Sequence, residues 1–313
     1  MLDGKRVAVV VPAFDEEGLV GETIRGIPEF VDRIYVVDDG SQDRTAAATV
    51  DLGDSRVELI RHERNSGVGA AIATGYRQAL AEEVDVTCVM AADNQMDPVE
   101  LQGLVEPVAR GEVEYAKANR LVSGEAWKVI PRTRYLGNAV LSLLTKIASG
   151  YWHVADSQAG YTALSLEALR RLDLDALYPR YGFPNDVLVH LNVQNARVRD
   201  VPSRPIYDVG ERSGIKLRAV VPRISWLLLK GFWWRMGQKY VIRDFHPLVF
   251  FYVFGVLMLT VGFLLGLIEL ILRIAGNAIT PATIVLVAVL LIAGLQMTLF
   301  AMWFDMEANK DLR

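Results

Sequence analysis

The stretch Val7-Ala8-Val9-Val10-Val11-Pro12-Ala13-Phe14-Asp15-Glu16-Glu17 decides how this chain folds. Its run of small and β-branched apolar residues reads as a strand buried on both faces, and the proline with the acidic residues behind it ends that strand abruptly. The same event recurs three times. Residues 33–37 run into Asp38-Asp39-Gly40-Ser41, residues 57–61 lead to Asn65-Ser66-Gly67-Val68-Gly69, and residues 86–90 lead to Ala92-Asp93-Asn94-Gln95-Met96-Asp97-Pro98. Helical patterns fill the gaps at 18–28, 44–52, 69–82 and 98–109. This βαβ repetition predicts an α/β domain with a mostly parallel sheet, helices on both faces, and a ligand crevice at the carboxyl ends of the strands.

Composition agrees and excludes several classes. The 313 residues are 52% hydrophobic and 22% charged, too apolar for disorder, and the single cysteine, Cys88, rules out a disulfide scaffold. Mean hydropathy is +0.24, high for a soluble enzyme, because the apolar residues are concentrated near the C-terminus. Residues 248–268 and 282–304 carry no charged side chain, and each is long enough to cross the roughly 30 Å of a bilayer core. A pair of buried core helices is the poorer reading, since such helices normally keep a polar stripe. Two transmembrane helices joined by residues 269–281 are therefore expected, as an antiparallel hairpin with Gly262-x-x-x-Gly266 available for close helix packing or an oligomer contact.

Charge sets the expected orientation. Residues 212–243 hold eight Lys or Arg and no Asp or Glu, whereas the loop between the spans holds only Arg273, so the positive-inside rule puts the N-terminal mass and the C-terminal tail in the cytoplasm. Residues 1–211 carry a net −10 and the remainder +6, giving the overall −4. The basic run is interleaved with Trp226, Phe232, Trp233 and Trp234, which suits amphipathic helices lying in an anionic interface better than nucleic-acid binding. The expected layout is a cytoplasmic domain at 1–211, juxtamembrane helices at 212–246, a membrane hairpin at 247–305 and a short tail at 306–313. The run at 7–11 is too short for a signal-peptide core, so folding is expected to begin in the cytoplasm.

Four acidic or glycine-bearing strand ends on one edge suit a divalent cation and a nucleotide, with hard oxygen ligands favouring Mg²⁺ or Mn²⁺. The Gly-Val-Gly element does not fit a dinucleotide fingerprint, because it follows the third strand. Taken in order, residues 10–17, 36–43, 65–69 and 93–98 resemble the family 2 glycosyltransferases of GT-A fold. Within that family the chain is most similar to the polyprenyl-phosphate glycosyltransferases, the dolichyl-phosphate mannose synthase group. The resemblance covers roughly residues 5–217. It implies that Pro12, Ala13, Glu16, Asp39 and Gly67 bind the nucleotide sugar, and that Asp93, with Gln95, binds the metal. Ala91 departs from the pattern, standing where a further carboxylate usually lies, so diphosphate and water would complete the metal shell.

For transfer to a lipid monophosphate, cationic positioning groups matter more than a strong base, because the attacking oxygen is already anionic. Arg120, Arg134, Arg212 and Lys216 are the candidates, at positions that in the family bind phosphate groups; Arg132 reads equally as a surface charge. Asp156, in Asp156-Ser157-Gln158-Ala159-Gly160-Tyr161, resembles the family carboxylate beside the reacting centre and is assigned as base or as orienting group. Asp186 is a secondary candidate for sugar hydroxyls. A glycosidase also uses two carboxylates but needs neither a metal-binding strand end nor a membrane hairpin. The resemblance therefore implies inverting transfer of a hexose-type sugar from UDP-sugar or GDP-mannose to polyprenyl phosphate by an integral membrane enzyme. A processive polysaccharide synthase, which normally carries a Gln-x-x-Arg-Trp segment not found here, and a non-enzymatic membrane protein with a degenerate domain are the rivals.

Overall fold

The computed structural model describes residues 1–122, 132–206, 217–278 and 280–313, the side chains of 132–136 and 217–219 excepted. Strand β1 (Val7–Ala13) is buried along its whole length. Because successive side chains alternate across a strand, Val7, Val9 and Val11 enter one core with Ile24, Leu101 and Leu104, while Ala8 and Val10 enter a second with Ile72, Tyr76 and Leu188. Burial on both faces explains the unbroken apolar run. Gly75 lies so close over Val10 that a Cβ there would overlap the valine side chain.

The remaining strands are β2 (Arg33–Asp38), β3 (Val57–Arg61), β4 (Val86–Val89), β5 (Tyr115–Asn119), β6 (Thr162–Ser165) and β7 (Val198–Pro202). They form one seven-stranded sheet in the order β3-β2-β1-β4-β6-β5-β7. All neighbours are parallel except β6, which runs antiparallel to both β4 and β5. The expected α/β, mostly parallel sheet is thus observed, with one reversed strand in its interior. Reversal brings the N-terminal end of β6, and the loop before it, to the edge where the other strands end.

The helices are α1 (Val20–Gly26), α2 (Thr45–Val50), α3 (Val68–Ala81), α4 (Leu101–Ala109), α5 (Arg132–Ser149), α6 (Leu166–Arg171), α7 (Phe183–Val193), α8 (Leu217–Gly237), α9 (Leu248–Ile274) and α10 (Pro281–Ala308). A 3₁₀ turn, Pro98–Glu100, precedes α4; Asp97 caps it by accepting from the Val99 N–H at 2.9 Å. The chain divides into two compact units, Met1–Phe232 with Asp311–Arg313, and Trp233–Lys310. In the first, the C-terminal residues return to the sheet, where the Val198 N–H donates to the Leu312 carbonyl.

The second unit holds α9 and α10, each with mean hydropathy 2.6 and long enough to cross a membrane. Both helices outrun the uncharged stretches 248–268 and 282–304. Backbone hydrogen bonds continue through Glu269 and Arg273 in α9 and through Asp305 and Glu307 in α10, so the connection shrinks to residues 275–280. The helices pack antiparallel through small residues. A Cβ on Gly255 would meet Thr298, one on Gly262 would meet Leu290 and Leu291, and one on Gly266 would meet Val287. The Gly262-x-x-x-Gly266 face is therefore used inside the hairpin.

At the end of this unit lies a buried polar cluster. The Arg235 guanidinium binds both Asp305 oxygens, at 2.8 and 2.9 Å, with both side chains fully buried. The Tyr240 hydroxyl donates to Asp305 at 2.7 Å, and the Lys239 ammonium donates to Asn309 at 2.7 Å. Arg235 and Lys239 belong to the basic run at 212–243 expected to face an anionic interface, but pairing and burial take both off the surface.

Candidate active site

At the carboxyl edge of the sheet, the ends of β1 and β2 are laced together. The Asp39 N–H donates to the Ala13 carbonyl, Asp15 exchanges bonds with Ser41 and Gln42, and the Glu16 N–H donates to the Thr45 hydroxyl. Asp15 adopts a φ of 55°, a left-handed turn that an Asp tolerates. Pro12, Ala13, Glu16 and Asp39 thus come together at one corner.

Asp39 is a structural brace at that corner. One carboxylate oxygen accepts from the Ser66 N–H at 2.9 Å and from His62 Nδ1 at 2.7 Å, and the other accepts from the Gly67 N–H at 2.7 Å. Three of its roughly four acceptor positions are thus committed, two to the 65–69 loop and one to His62 at the end of β3. His62 Nε2 continues the chain to the Thr74 hydroxyl at 3.0 Å. Sequence reasoning passed over His62; its signal was its place immediately after β3.

The loop's glycines answer to the same packing. Gly67 has φ 109°, and a Cβ on it would run into the Pro179 carbonyl; one on Gly69 would run into Tyr178. The Ala70 N–H donates to that Pro179 carbonyl at 3.0 Å. Asp186, on α7, holds the same junction from the other side by accepting from the Tyr178 N–H at 2.8 Å. Burial raises the Asp186 carboxyl above its ordinary value, against the opposing pull of His190. Asp186 therefore supports the segment that packs against the glycine loop.

Asp93 and Gln95 leave β4 on one tight turn, in which the Gln95 N–H donates to Asp93 Oδ1 at 3.2 Å and Asn94 takes a φ of 56°. Their donor set is one carboxylate and one amide carbonyl, both hard oxygen ligands. That suits Mg²⁺ or Mn²⁺, which commonly take one or two protein carboxylates and complete their shell with substrate phosphates and water. No three His, Cys, Asp or Glu side chains gather as a metal cage among the described residues. Ala91 donates its N–H to the Met96 sulfur at 3.2 Å.

The turn adjoins the loop before β6. The Tyr161 hydroxyl donates to the Asp97 carbonyl at 2.9 Å, and Met96 lies beside Gly160. In that loop Asp156 is fully buried and bound by Arg120, which follows β5: Nε donates to Oδ2 at 2.8 Å, Nη2 to Oδ1 at 3.2 Å, and the Arg120 N–H to Oδ2 at 3.2 Å. Burial works against the Asp156 charge, yet Arg120 and Lys117 outweigh it and hold the carboxyl below its ordinary range. Asp156 is accordingly a poor proton acceptor and a strong anchor for the guanidinium, which keeps an exposed flank.

Lys117 and Asp200 complete this corner. Burial lowers the Lys117 ammonium to about 8, although Asp156 and Asp200 both pull upward. Asp200 was not read from the sequence; the period-two pattern of β7, which puts residue 200 on the same face as buried Val198, was the available signal. Arg132 and Arg134 fall in the first turn of α5, where side chains lie outside the described residues, and Arg212 and Lys216 lie outside the described residues altogether.

The model of the glycosyl transferase family 2 matches residues 8–173. An undecaprenyl-phosphate mannosyltransferase of Micrococcus luteus is 30% identical over 71% of this chain and 93% of its own. A UDP-N-acetylglucosamine–dolichyl-phosphate N-acetylglucosaminyltransferase of Methanococcus voltae is 29% identical over 65% of this chain and 86% of its own. Among solved structures, glucosyl-3-phosphoglycerate synthase from Mycobacterium tuberculosis, in complex with Mn²⁺, UDP and glucosyl-3-phosphoglycerate, shares the fold with a TM-score of 0.56. It is 21% identical and covers 75% of this chain and 81% of its own. With over half its length matched by that family model and the strand-end constellation in place, the chain belongs to glycosyl transferase family 2.

Proposed function

We propose that the protein transfers a hexose-type sugar from a nucleotide sugar to a polyprenyl phosphate, with inversion, on the cytoplasmic side of a membrane. The observation that carries this reading is the junction of the Asp93–Gln95 turn with the Asp156–Arg120 pair, tied by Tyr161 and Met96, an arrangement that suits a donor diphosphate beside a cationic corner. The relatives named above act on undecaprenyl and dolichyl phosphates, and two helices able to cross a membrane supply the setting for such a lipid.

The chemistry follows from the charges. A phosphate monoester presents an anionic oxygen at neutral pH, so attack on the sugar needs positioning rather than deprotonation. Arg120, oriented by Asp156, is suited to hold that phosphate by its exposed flank, since guanidinium donors match phosphate oxygens. The corner built from Pro12, Ala13, Glu16 and the Asp39-anchored loop would receive the nucleoside. Asp93 and Gln95 would hold a divalent ion, which when bound supplies Lewis-acid neutralisation of the leaving diphosphate. Inversion suits a single in-line displacement with no protein nucleophile. The basic, tryptophan-bearing stretch from residue 212 supports a cytoplasmic catalytic domain by the positive-inside rule.

The test is direct. Full-length protein with Mg²⁺, labelled UDP- or GDP-sugars and polyprenyl phosphate should yield a chloroform-soluble product, lost by at least about a hundredfold in Asp93→Ala. A polymeric product would point to a polysaccharide synthase. Glycosylation of a soluble acceptor, with every polyprenyl phosphate left untouched, would overturn the acceptor.

A further inference from the structure

Asp200 sits on β7 with Lys117 as its register partner on β5, so the two side chains share one face of the sheet. A single oxygen of Asp200 takes two bonds, from the Ala155 N–H and from the Asn119 side-chain amide, both at 2.7 Å. These two donors are the residues that immediately precede Asp156 and Arg120. The other oxygen, Oδ1, is buried with no hydrogen-bond partner among the described residues. Leaving a buried carboxylate oxygen unpaired is costly, and a sheet-edge residue chosen only for stability would not keep it.

We propose that Asp200 is a positioning residue for glycosyl transfer: its carboxylate fixes the two backbone segments that carry Arg120 and Asp156 and, with Lys117, balances the charge of that pair. The inference rests on the transferase reading above. The group then consists of two carboxylates and two cations, of which Asp156 and Lys117 are fully buried. Lys117 faces Asp156 from the loop before β6, Asp200 from β7 and Arg120 from the end of its own strand, and its ammonium donates to the Ala159 carbonyl. Lys117 is the member that burial brings nearest to neutral pH. Removing the Asp200 charge takes away one of the two carboxylates that keep Lys117 protonated. Lys117 then loses its proton at lower pH, and Asp156 loses a partner with it.

The experiment compares wild-type protein with Asp200→Asn in the sugar-transfer assay across pH, with thermal unfolding in parallel. The expected result is a kcat at least about tenfold lower, a nucleotide-sugar KM within about twofold of wild type, and an alkaline limb of kcat shifted to lower pH. In a Lys117→Met background that limb disappears, and Asp200→Asn adds no further pH shift. If Asp200→Asn does not fold, Asn119→Ala removes one bond to Asp200 without touching its charge; it should lower kcat and leave the limb in place. A variant that unfolds at lower temperature while keeping wild-type kcat and pH profile overturns the inference. If wild-type protein leaves polyprenyl phosphate untouched, the acceptor reading fails instead, and the same variants are compared in hydrolysis of the nucleotide sugar.

Discussion

The Arg120 guanidinium spans both oxygens of Asp156, at 2.8 and 3.2 Å, with the carboxylate fully buried and the guanidinium partly open to solvent. Breaking such a pair from the cationic side strands a charge in the interior, which costs about 3–5 kcal/mol. Arg120→Ala should therefore lower the thermal midpoint sharply as well as reduce transfer, whereas Asp156→Asn should cost less stability. Arg120→Lys keeps the charge but not the two-pronged geometry, and should lose roughly a hundredfold in kcat/KM with a smaller fall in the midpoint. Equal loss of stability in Arg120→Ala and Asp156→Asn would contradict this account.

The glycine loop is held by what surrounds it. Gly67→Ala meets both the Pro179 carbonyl and a positive φ, so a loss of at least about 1–3 kcal/mol is expected. Asp39→Ala leaves the Ser66 and Gly67 N–H groups without their acceptor, at about 1–3 kcal/mol for each group that stays buried. Both changes loosen the same loop, so the double variant should be less damaging than the sum of the singles. Chemical denaturation of the three variants measures that coupling.

In the membrane unit, Asp305→Ala uncovers Arg235 in a fully buried site and is expected to cost about 3–5 kcal/mol. Replacing both residues with apolar ones of similar volume, Arg235→Met with Asp305→Leu, should recover much of that loss, because two desolvated charges disappear together. Unfolding in detergent or nanodiscs reads the cycle. A double variant as unstable as the worse single would show that Tyr240 and Asn309, which also bind Asp305, carry the stability instead.

Lys239 gives the same unit a pH dependence. Burial pushes its ammonium down to about 7, and Arg235 adds to this while Asp305 opposes it. The folded value lies below the unfolded one of 10.5, so between about 7 and 10.5 the unfolded chain holds a proton that the folded chain has released. Stability from this group therefore rises with pH across that window and is lost as pH falls toward 7. Lys239→Met should flatten the rise in thermal midpoint over the same window; an unchanged slope would assign it to another group.

The half of the sheet built from β1 to β4 was legible because buried parallel strands read as unbroken apolar runs. The other half was not. Strand β5, Tyr115-Ala116-Lys117-Ala118-Asn119, buries a lysine and an asparagine whose partners come from β7 and the loop before β6, so no local pattern marks it as a strand. Asp305 was likewise unreadable as a helical, buried residue, since what permits it is Arg235, seventy positions away. The places of Asp39, Asp93 and Asp156 along the sheet's carboxyl edge were legible from motifs that mark the ends of strands or the loop before β6. The bonds those carboxylates make depend on tertiary neighbours, which is why Asp39 and Asp186 prove to be braces of the glycine loop.

The reversed strand β6 also dictates an order of assembly. Strands β1 to β4 can pair with one another as soon as the first ninety or so residues are available, but β5 has only β6 and β7 as sheet neighbours, and both are synthesised after it. Strand β5, with Arg120 at its end, must wait unpaired until β6 docks on β4, and Asp200 arrives later still. The β1–β2 part of the nucleoside corner can thus form early, its glycine loop gains the Pro179 and Asp186 supports only later, and the corner proposed to carry out transfer waits for Asp200. Folding of the β5–β7 half of the sheet is then expected to be slower than that of the β1–β4 half, since its pairings join residues farther apart in the chain.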